Sequence, residues 1–202
     1  LRRQRQMCIR DRSIICDRLG IDVWELIDLA NHHPRVNILK PGPGVGGHCI
    51  AVDPWFIISS APEQAKLIKT AREVNDSKPR VVMDKISEAV SAKTANTIAA
   101  MGIAFKPDID DLRESPALQI VEEMAKKWPE KRILVSEPNI EKLPAPLSRY
   151  QNVALVGSEA ALSEAEVAVL LVDHTPFKKL NRKLLEGKTV IDTRGAWGSQ
   201  EK

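Results

Sequence analysis

The 202-residue chain lacks several features that would assign it quickly. Its longest apolar runs, such as Val167-Ala168-Val169-Leu170-Leu171-Val172, fall far short of the roughly 20 residues a membrane helix needs. Its three cysteines, Cys8, Cys16 and Cys49, make no paired framework, which points to free thiols in a reducing compartment and so to the cytoplasm. The net charge of +3 is too small to argue for nucleic acid, and no dense Lys/Arg run with interleaved aromatics occurs. Four histidines come with no second ligand cluster, so no metal site is expected. No internal repeat or low-complexity tract is present. The first strand-like run, ending in Gly102-Ile103-Ala104-Phe105-Lys106-Pro107, also does not close in the G-x-G-x-x-G turn that a dinucleotide pyrophosphate would want.

What remains is an ordinary globular composition, 43% hydrophobic and 28% charged, with length for one or two domains. Residues 1–12 are Arg-rich without an apolar stretch, so they are no secretory signal. They are expected to stand outside the fold, as a foreign segment or a disordered basic arm. Residues 13–93 read as helical. A helix end at 13–19 closes at Gly20, a capping box at Asp22–Glu25 opens a helix to about Asn31, and Pro34 stops it. A short helix should follow Pro54, another should occupy 62–77, and Pro79 should open a further one to about Ala92. From residue 94 the pattern becomes strand runs at 97–104, 132–136, 153–156, 167–172 and 189–192. Helical stretches at 116–127, 159–164 and 176–185 alternate with them, with Ser115 as one N-cap. This alternation predicts an α/β, Rossmann-like parallel sheet over 94–202. Glu137 follows the second strand where a ribose-binding acid would sit, but the missing glycines argue against that role.

The densest chemical signal is Pro41-Gly42-Pro43-Gly44-Val45-Gly46-Gly47-His48-Cys49, with Asp53-Pro54 behind it. Glycines this close cannot form a regular element, and they suit a chain that must turn sharply or approach a ligand. The loop delivers a thiol ahead of a helix N-terminus, a setting that favours the thiolate. The plain alternatives are a buried structural Cys49, Asp53 as a helix cap, and a loop with no further role. His48 is a weak candidate base, because neighbouring side chains in a loop are expected to diverge.

This loop resembles the active-site loop of the UDP-glucose/GDP-mannose dehydrogenase family. The wider stretch from His33-Pro34-Arg35 through Trp55-Phe56-Ile57 most resembles the branch that oxidises UDP-N-acetyl-D-mannosamine. A second block, Gly102-Ile103-Ala104-Phe105-Lys106-Pro107 to Asp110-Asp111-Leu112-Arg113-Glu114-Ser115-Pro116, is similar to the same family, and the likeness runs from about Ser13 to the C-terminus. The resemblance implies NAD-dependent oxidation of a UDP-sugar alcohol to an acid by two hydride transfers, through a Cys-bound thiohemiacetal and thioester. It makes Cys49 the nucleophile and Asp53 the carboxylate that positions or activates water. It puts His33, Arg35, Gly46, Phe105, Lys106 and Arg194 at the UDP-sugar and Arg113 at the cofactor. It makes residues 13–93 the dimerisation region of a homodimer, with His33 and Arg35 serving a neighbouring subunit, and it puts an NAD domain upstream of this chain. Without the resemblance, Lys106 and Arg113 would read as solvated loop charges pairing with Asp108, Asp110 or Asp111, and His32-His33 as an exposed helix end. Oxidation of UDP-glucose is the nearest rival, and a non-catalytic nucleotide-sugar-binding or dimerisation module is the rival of another class.

Overall fold

A computed structural model describes residues 9–35 and 37–198, with side chains from residue 11. Helix α1 (Ile9–Leu19) starts inside the segment expected to lie outside the fold, while residues 1–8 lie outside the described residues. Asp22 then caps α2 (Val23–Asn31), its Oδ1 accepting from Trp24 N at 2.8 Å and Glu25 N at 3.0 Å. Cys16, Val23, Ile27 and Ile38 close a small core beneath these two helices. The glycine loop leads into α3 (Asp53–Ser60).

Next comes α4 (Lys66–Lys93), one continuous helix where two were expected. Pro79 lies inside it rather than at a start. A proline removes one i→i−4 hydrogen bond and crowds the preceding turn, which normally ends a helix. Here burial on both sides carries the helix through: Arg72, Asn75 and Lys78 are buried before Pro79, and Val82, Met83 and Ile86 after it.

The sheet contains β1 (Thr97–Met101), β2 (Arg132–Ser136), β3 (Val153–Leu155), β4 (Val167–Leu170) and β5 (Thr189–Asp192). All neighbours are parallel, in the order β3-β2-β1-β4-β5. Helix α5 (Pro116–Lys127) behind N-cap Ser115 matches the sequence expectation. The short α6 (Ala145–Ser148) precedes β3, and α7 (Ser158–Glu164) joins β3 to β4. Alternate strand residues feed opposite faces. Ile98, Ala100, Ile133, Val135, Val167 and Val169 pack with α4 and α5, whereas Ala99, Met101, Leu134, Ala168 and Leu170 pack with α7, Phe177 and Trp197.

Two strands end before their apolar runs do. The first run was expected to reach Ala104, but Gly102 turns the chain, and the Ile103 and Ala104 N–H groups go to the Glu137 carboxylate instead of a neighbouring strand. The fourth run stops at Leu170, because Leu171 N and Val172 N both donate to Met101 O. The single helix expected at 176–185 splits into α8 (Thr175–Lys178) and a 3-10 turn (Arg182–Leu185). Asn181 causes the break by accepting from Lys183 N at 3.0 Å, a local side-chain bond that competes with helix continuation.

Ile86 is fully buried where α4 meets the sheet, and Leu67 is 61% exposed on the same helix. Ile86→Ala should therefore cost about 2–5 kcal/mol in denaturant unfolding, and Leu67→Ala under about 0.5 kcal/mol. Equal effects would show that α4 is not anchored through its second half.

Candidate active site

The strand order reverses between β1 and β4. Chain connections run outward from that seam on either side, so the carboxyl ends of β1 and β4 leave a crevice where open α/β sheets take ligands. Phe105 and Lys106 follow β1, Asp173 and His174 follow β4, and Arg194 follows β5. Residues far apart in sequence are thus gathered along one edge.

Each is held by its neighbours. Arg194 Nε donates to Asp173 Oδ1 at 2.8 Å, and Lys178 pairs with Asp173 Oδ2 at 2.8 Å. Burial would raise the Asp173 carboxyl, but the charge of Arg194 and the hydrogen bonds from Lys178 and Arg194 outweigh it and hold the group low. The turn that carries Arg194 is tied by Asp192, which accepts from Arg194 N and Gly195 N at 2.8 Å each and from Trp197 N at 2.6 Å. Burial pushes the Asp192 carboxyl up despite those bonds. Trp24 of α2 lies directly against Gly195.

Behind Lys106 sits a buried polar group. His174 Nε2 is 3.0 Å from Glu137 Oε2, and the same oxygen accepts from Ile103 N at 2.8 Å and Ala104 N at 3.1 Å. Burial raises the Glu137 carboxyl, yet the His174 bond and the backbone N–H groups bring it below its ordinary value. On the other side of the ring, Nδ1 accepts from Asp108 N at 2.9 Å, so the proton sits on Nε2. Asp108 has φ 62°, an uncommon conformation for a non-glycine residue, and Thr175 holds it there through N and Oγ1 at 2.8 Å each. Glu137 therefore braces the Lys106 loop, which agrees with its exclusion as a ribose ligand.

The glycine loop lies over this edge. Gly47 N donates to Arg113 O at 3.1 Å. Gly46 abuts the Glu114 carbonyl so closely that a Cβ would collide with it, and Gly47, at φ 84°, would place a Cβ 3.0 Å from the Phe105 ring. Pro43, Gly44, Phe105, Lys106, Pro116 and Arg194 line one small cleft. The two sequence blocks are therefore one site. Lys106 is exposed, its Nζ 5.6 Å from the Phe105 ring centroid.

Cys49 is exposed and free, not a core residue. Its Sγ lies 3.1 Å from His48 Nδ1, so the two side chains converge where divergence was expected. Residues 47–52 run through consecutive turns rather than extended chain, so adjacent side chains do not alternate faces. Asp53 begins α3, exposed, and its N–H donates to Cys49 O at 2.8 Å. Arg113 grips Asp111 with Nε to both carboxylate oxygens at 3.0 Å. His33 and Arg35 form an exposed turn after α2, Arg35 N donating to His33 Nδ1 at 3.2 Å. Among the described residues no hydrogen bond or ion pair ties that turn to Cys49. No cluster of three or more His, Cys, Asp or Glu that could hold a metal occurs among the described residues either.

Comparison with known proteins decides what carries this arrangement. The UDP-binding domain of the UDP-glucose/GDP-mannose dehydrogenase family matches residues 99–199, and that family's central domain matches residues 2–77. This chain belongs to the UDP-glucose/GDP-mannose dehydrogenase family. An NDP-N-acetyl-D-galactosaminuronic acid dehydrogenase of Ralstonia nicotianae is 56% identical over 188 residues, covering 93% of this chain and 44% of its own. A UDP-N-acetyl-D-mannosamine dehydrogenase of Escherichia coli is 53% identical over 193 residues, covering 92% and 45%. A solved UDP-N-acetyl-mannosamine dehydrogenase from S. aureus superposes with TM-score 0.77 at 36% identity, covering 97% of this chain and 45% of that one. The chain thus spans less than half the length of these relatives.

For this family member, sequence reading missed the residues that support the candidate site. Asn75 and Arg72 bond to the glycine loop, and Asp173, Glu137 and His174 fix the residues beside it. Their one visible signal is polar residues within apolar runs or directly after a strand.

The Arg113 side chain, then its backbone N–H, draws the Asp111 carboxyl down to about 2 from 3.8. The pair's contribution is thus present above pH 3.8 and lost as the pH falls toward 2. Carbon-detected NMR titration should give Asp111 a midpoint near 2, and Arg113→Ala should return it to about 4. An unchanged midpoint in the variant would disprove the pairing.

Proposed function

We propose that the protein carrying this chain oxidises the primary alcohol of a UDP-linked N-acetylhexosamine to the uronic acid, with Cys49 as covalent nucleophile. The observation that carries this is an exposed Cys49 beside His48, in a loop seated on the sheet edge that bears Phe105, Lys106 and Arg194. UDP-N-acetyl-D-mannosamine is the sugar favoured by the 53% identical relatives. The 56% identity to a galactosaminuronic acid dehydrogenase supports the N-acetylgalactosamine isomer as the second reading.

The residues divide the work. Lys106 and Arg194 supply positive charge for the diphosphate, Arg in a planar fork suited to paired oxygens. Phe105 and the open backbone at Gly46 shape the sugar pocket, with His33 and Arg35 contributing from a second subunit. His48 accepts the Cys49 proton. The thiolate adds to the aldehyde carbon, giving a thiohemiacetal that becomes a thioester after loss of hydride. Water, positioned by Asp53 one helical turn away, attacks that thioester carbon and releases the acid and the free thiol.

Two NAD molecules, bound in turn, would each take up one of the two hydrides that oxidation of alcohol to acid releases. This sheet does not fit a dinucleotide: residues 102–115 separate β1 from α5, the α5 N-terminus is covered by Gly44 and Gly46 through Pro116, and Glu137 is fully engaged inside. Arg113, exposed and near Cys49, is the cofactor-facing residue, and the dinucleotide fold belongs to sequence outside this chain. A homodimer is supported by the exposed Ile14, Ile15, Leu19 and Leu29 on α1 and α2. A cytoplasmic location is supported by the free thiols of Cys16 and Cys49.

The test uses full-length protein with both UDP-N-acetylhexosamines, following NADH. Cys49→Ser should abolish acid formation, because a serine hydroxyl is barely ionised near neutral pH whereas a thiol ionises near about 8.5. Arg35→Ala should be impaired alone, and mixing it with Cys49→Ser subunits should restore activity at one intact site per dimer. Turnover by Cys49→Ser within a few-fold of the parent would remove the nucleophile. Failure of the mixture after confirmed subunit exchange would remove the shared site.

A further inference from the structure

Arg72, Asn75 and Asp76 occupy one face of α4. Arg72 and Asn75 are only 8% and 3% exposed, unusual burial for such groups unless something engages them. Asn75 engages Val45 as a second strand would. Its Oδ1 accepts from Val45 N at 2.9 Å, and its Nδ2 donates to Val45 O at 3.3 Å. Arg72 Nη1 donates to Ile50 O at 3.3 Å. Asp76 joins the two, its Oδ1 accepting from Asn75 Nδ2 at 3.0 Å and from Arg72 Nη2.

The segment between those anchors is 45–50, and it holds Gly46, Gly47, His48 and Cys49. Two glycines make it intrinsically loose. One further bond, Gly47 N to Arg113 O, fixes its middle. Cys49 O also accepts from Val52 N at 3.1 Å and Asp53 N at 2.8 Å, so without α4 the segment would be held at Gly47 and at the start of α3 but not at Val45 or Ile50. The Arg72–Asp76 pair sits at i,i+4, so the helix itself sets its geometry.

We infer that Asn75, with Arg72 and Asp76, forms a clamp that positions the Cys49 thiol for attack. Asn75 touches no substrate in this account: it acts through Val45 and is a positioning residue. The inference rests on the reading of Cys49 as nucleophile, but the geometry it claims can be read without substrate or cofactor. Displacing a reacting atom by about 1 Å can cost on the order of a hundredfold in rate, so a helix amide that acts only through the Val45 backbone can matter.

The experiment has two arms. In this chain with Cys8→Ser, Cys49 is the accessible thiol because Cys16 is buried, and its alkylation by iodoacetamide is followed across pH 6–9. In full-length protein, kcat and KM for the UDP-sugar are measured. Asn75→Ala, which removes both bonds to Val45, should shift the alkylation profile by at least about fivefold in rate. It should lower kcat about ten- to a hundredfold while KM stays within about threefold. Asn75→Asp keeps the acceptor for Val45 N and loses the donor, so its losses should be intermediate. Glu73→Ala on the exposed side of α4 is the control.

Melting temperatures accompany each variant. A lower melting temperature with unchanged alkylation and kcat would overturn the clamp and leave a structural role only. A rise in KM that accounts for the whole loss would also overturn it, in favour of substrate binding. If Asn75→Ala does not fold, Asn75→Asp and Asp76→Asn decide by the same readings, since Asp76 is exposed and its replacement leaves the core intact. An altered alkylation profile in a full-length protein that oxidises no UDP-sugar would sustain the clamp and sink the proposed reaction instead.

Discussion

The close approach of Gly46 and Gly47 to residues 113–114 is the contact on which the site depends. The Gly47 N–H bond to Arg113 O and the van der Waals contact of Gly46 on the Glu114 carbonyl join two stretches that are otherwise separate elements. A side chain at Gly46 would meet a backbone carbonyl, which cannot swing aside as a flexible side chain could. Glu114 itself has φ 48°, an uncommon conformation for a non-glycine residue, held where the loop meets it. That contact seats the loop that carries Cys49 against the segment between β1 and α5.

The sheet supplies rigidity and the loops supply chemistry. The middles of β1, β2 and β4 present apolar residues to α4, α5 and α7, and polar groups collect at and beyond the strand ends, as where Ser136 bonds Ser158 of α7 and Arg132 bonds Glu164. There several polar side chains are tied to a second one: Arg194 to Asp173, Arg113 to Asp111, His174 to Glu137. Exposed pairs of this kind add little stability, so their value lies in direction. The buried His174–Glu137 pair differs, since it also satisfies two N–H groups left over when β1 ends early.

Much of this was legible in the sequence because it is local. Ser115-Pro116 is a cap and first-turn signal that needs no partner, and α5 begins there. Short β-branched runs gave all five strands. What failed was tertiary. Pro79 lies within a helix because burial on both flanks outweighs one lost hydrogen bond. The strand ends at Met101 and Leu170 depend on Glu137 and on Met101 O, both distant in sequence. Within the candidate site, the residue types in the two sequence blocks pointed to the candidate nucleophile and the candidate charged groups. They could not show that His48 turns toward Cys49, that Asn75 holds Val45, or that Trp24 backs the Arg194 turn. Each of those is a meeting across the fold or a consequence of turn geometry.

The central claim is that the glycine loop and the carboxyl edge of the sheet form one nucleotide-sugar site within this chain. Amide hydrogen exchange of the chain with and without UDP-N-acetyl-D-mannosamine tests it most directly. The account predicts joint protection of residues 44–49, 103–106 and 193–195, with the strands unchanged. Protection confined to residues 139–148 beside α6, or binding that leaves 44–49 exchanging as before, would contradict it.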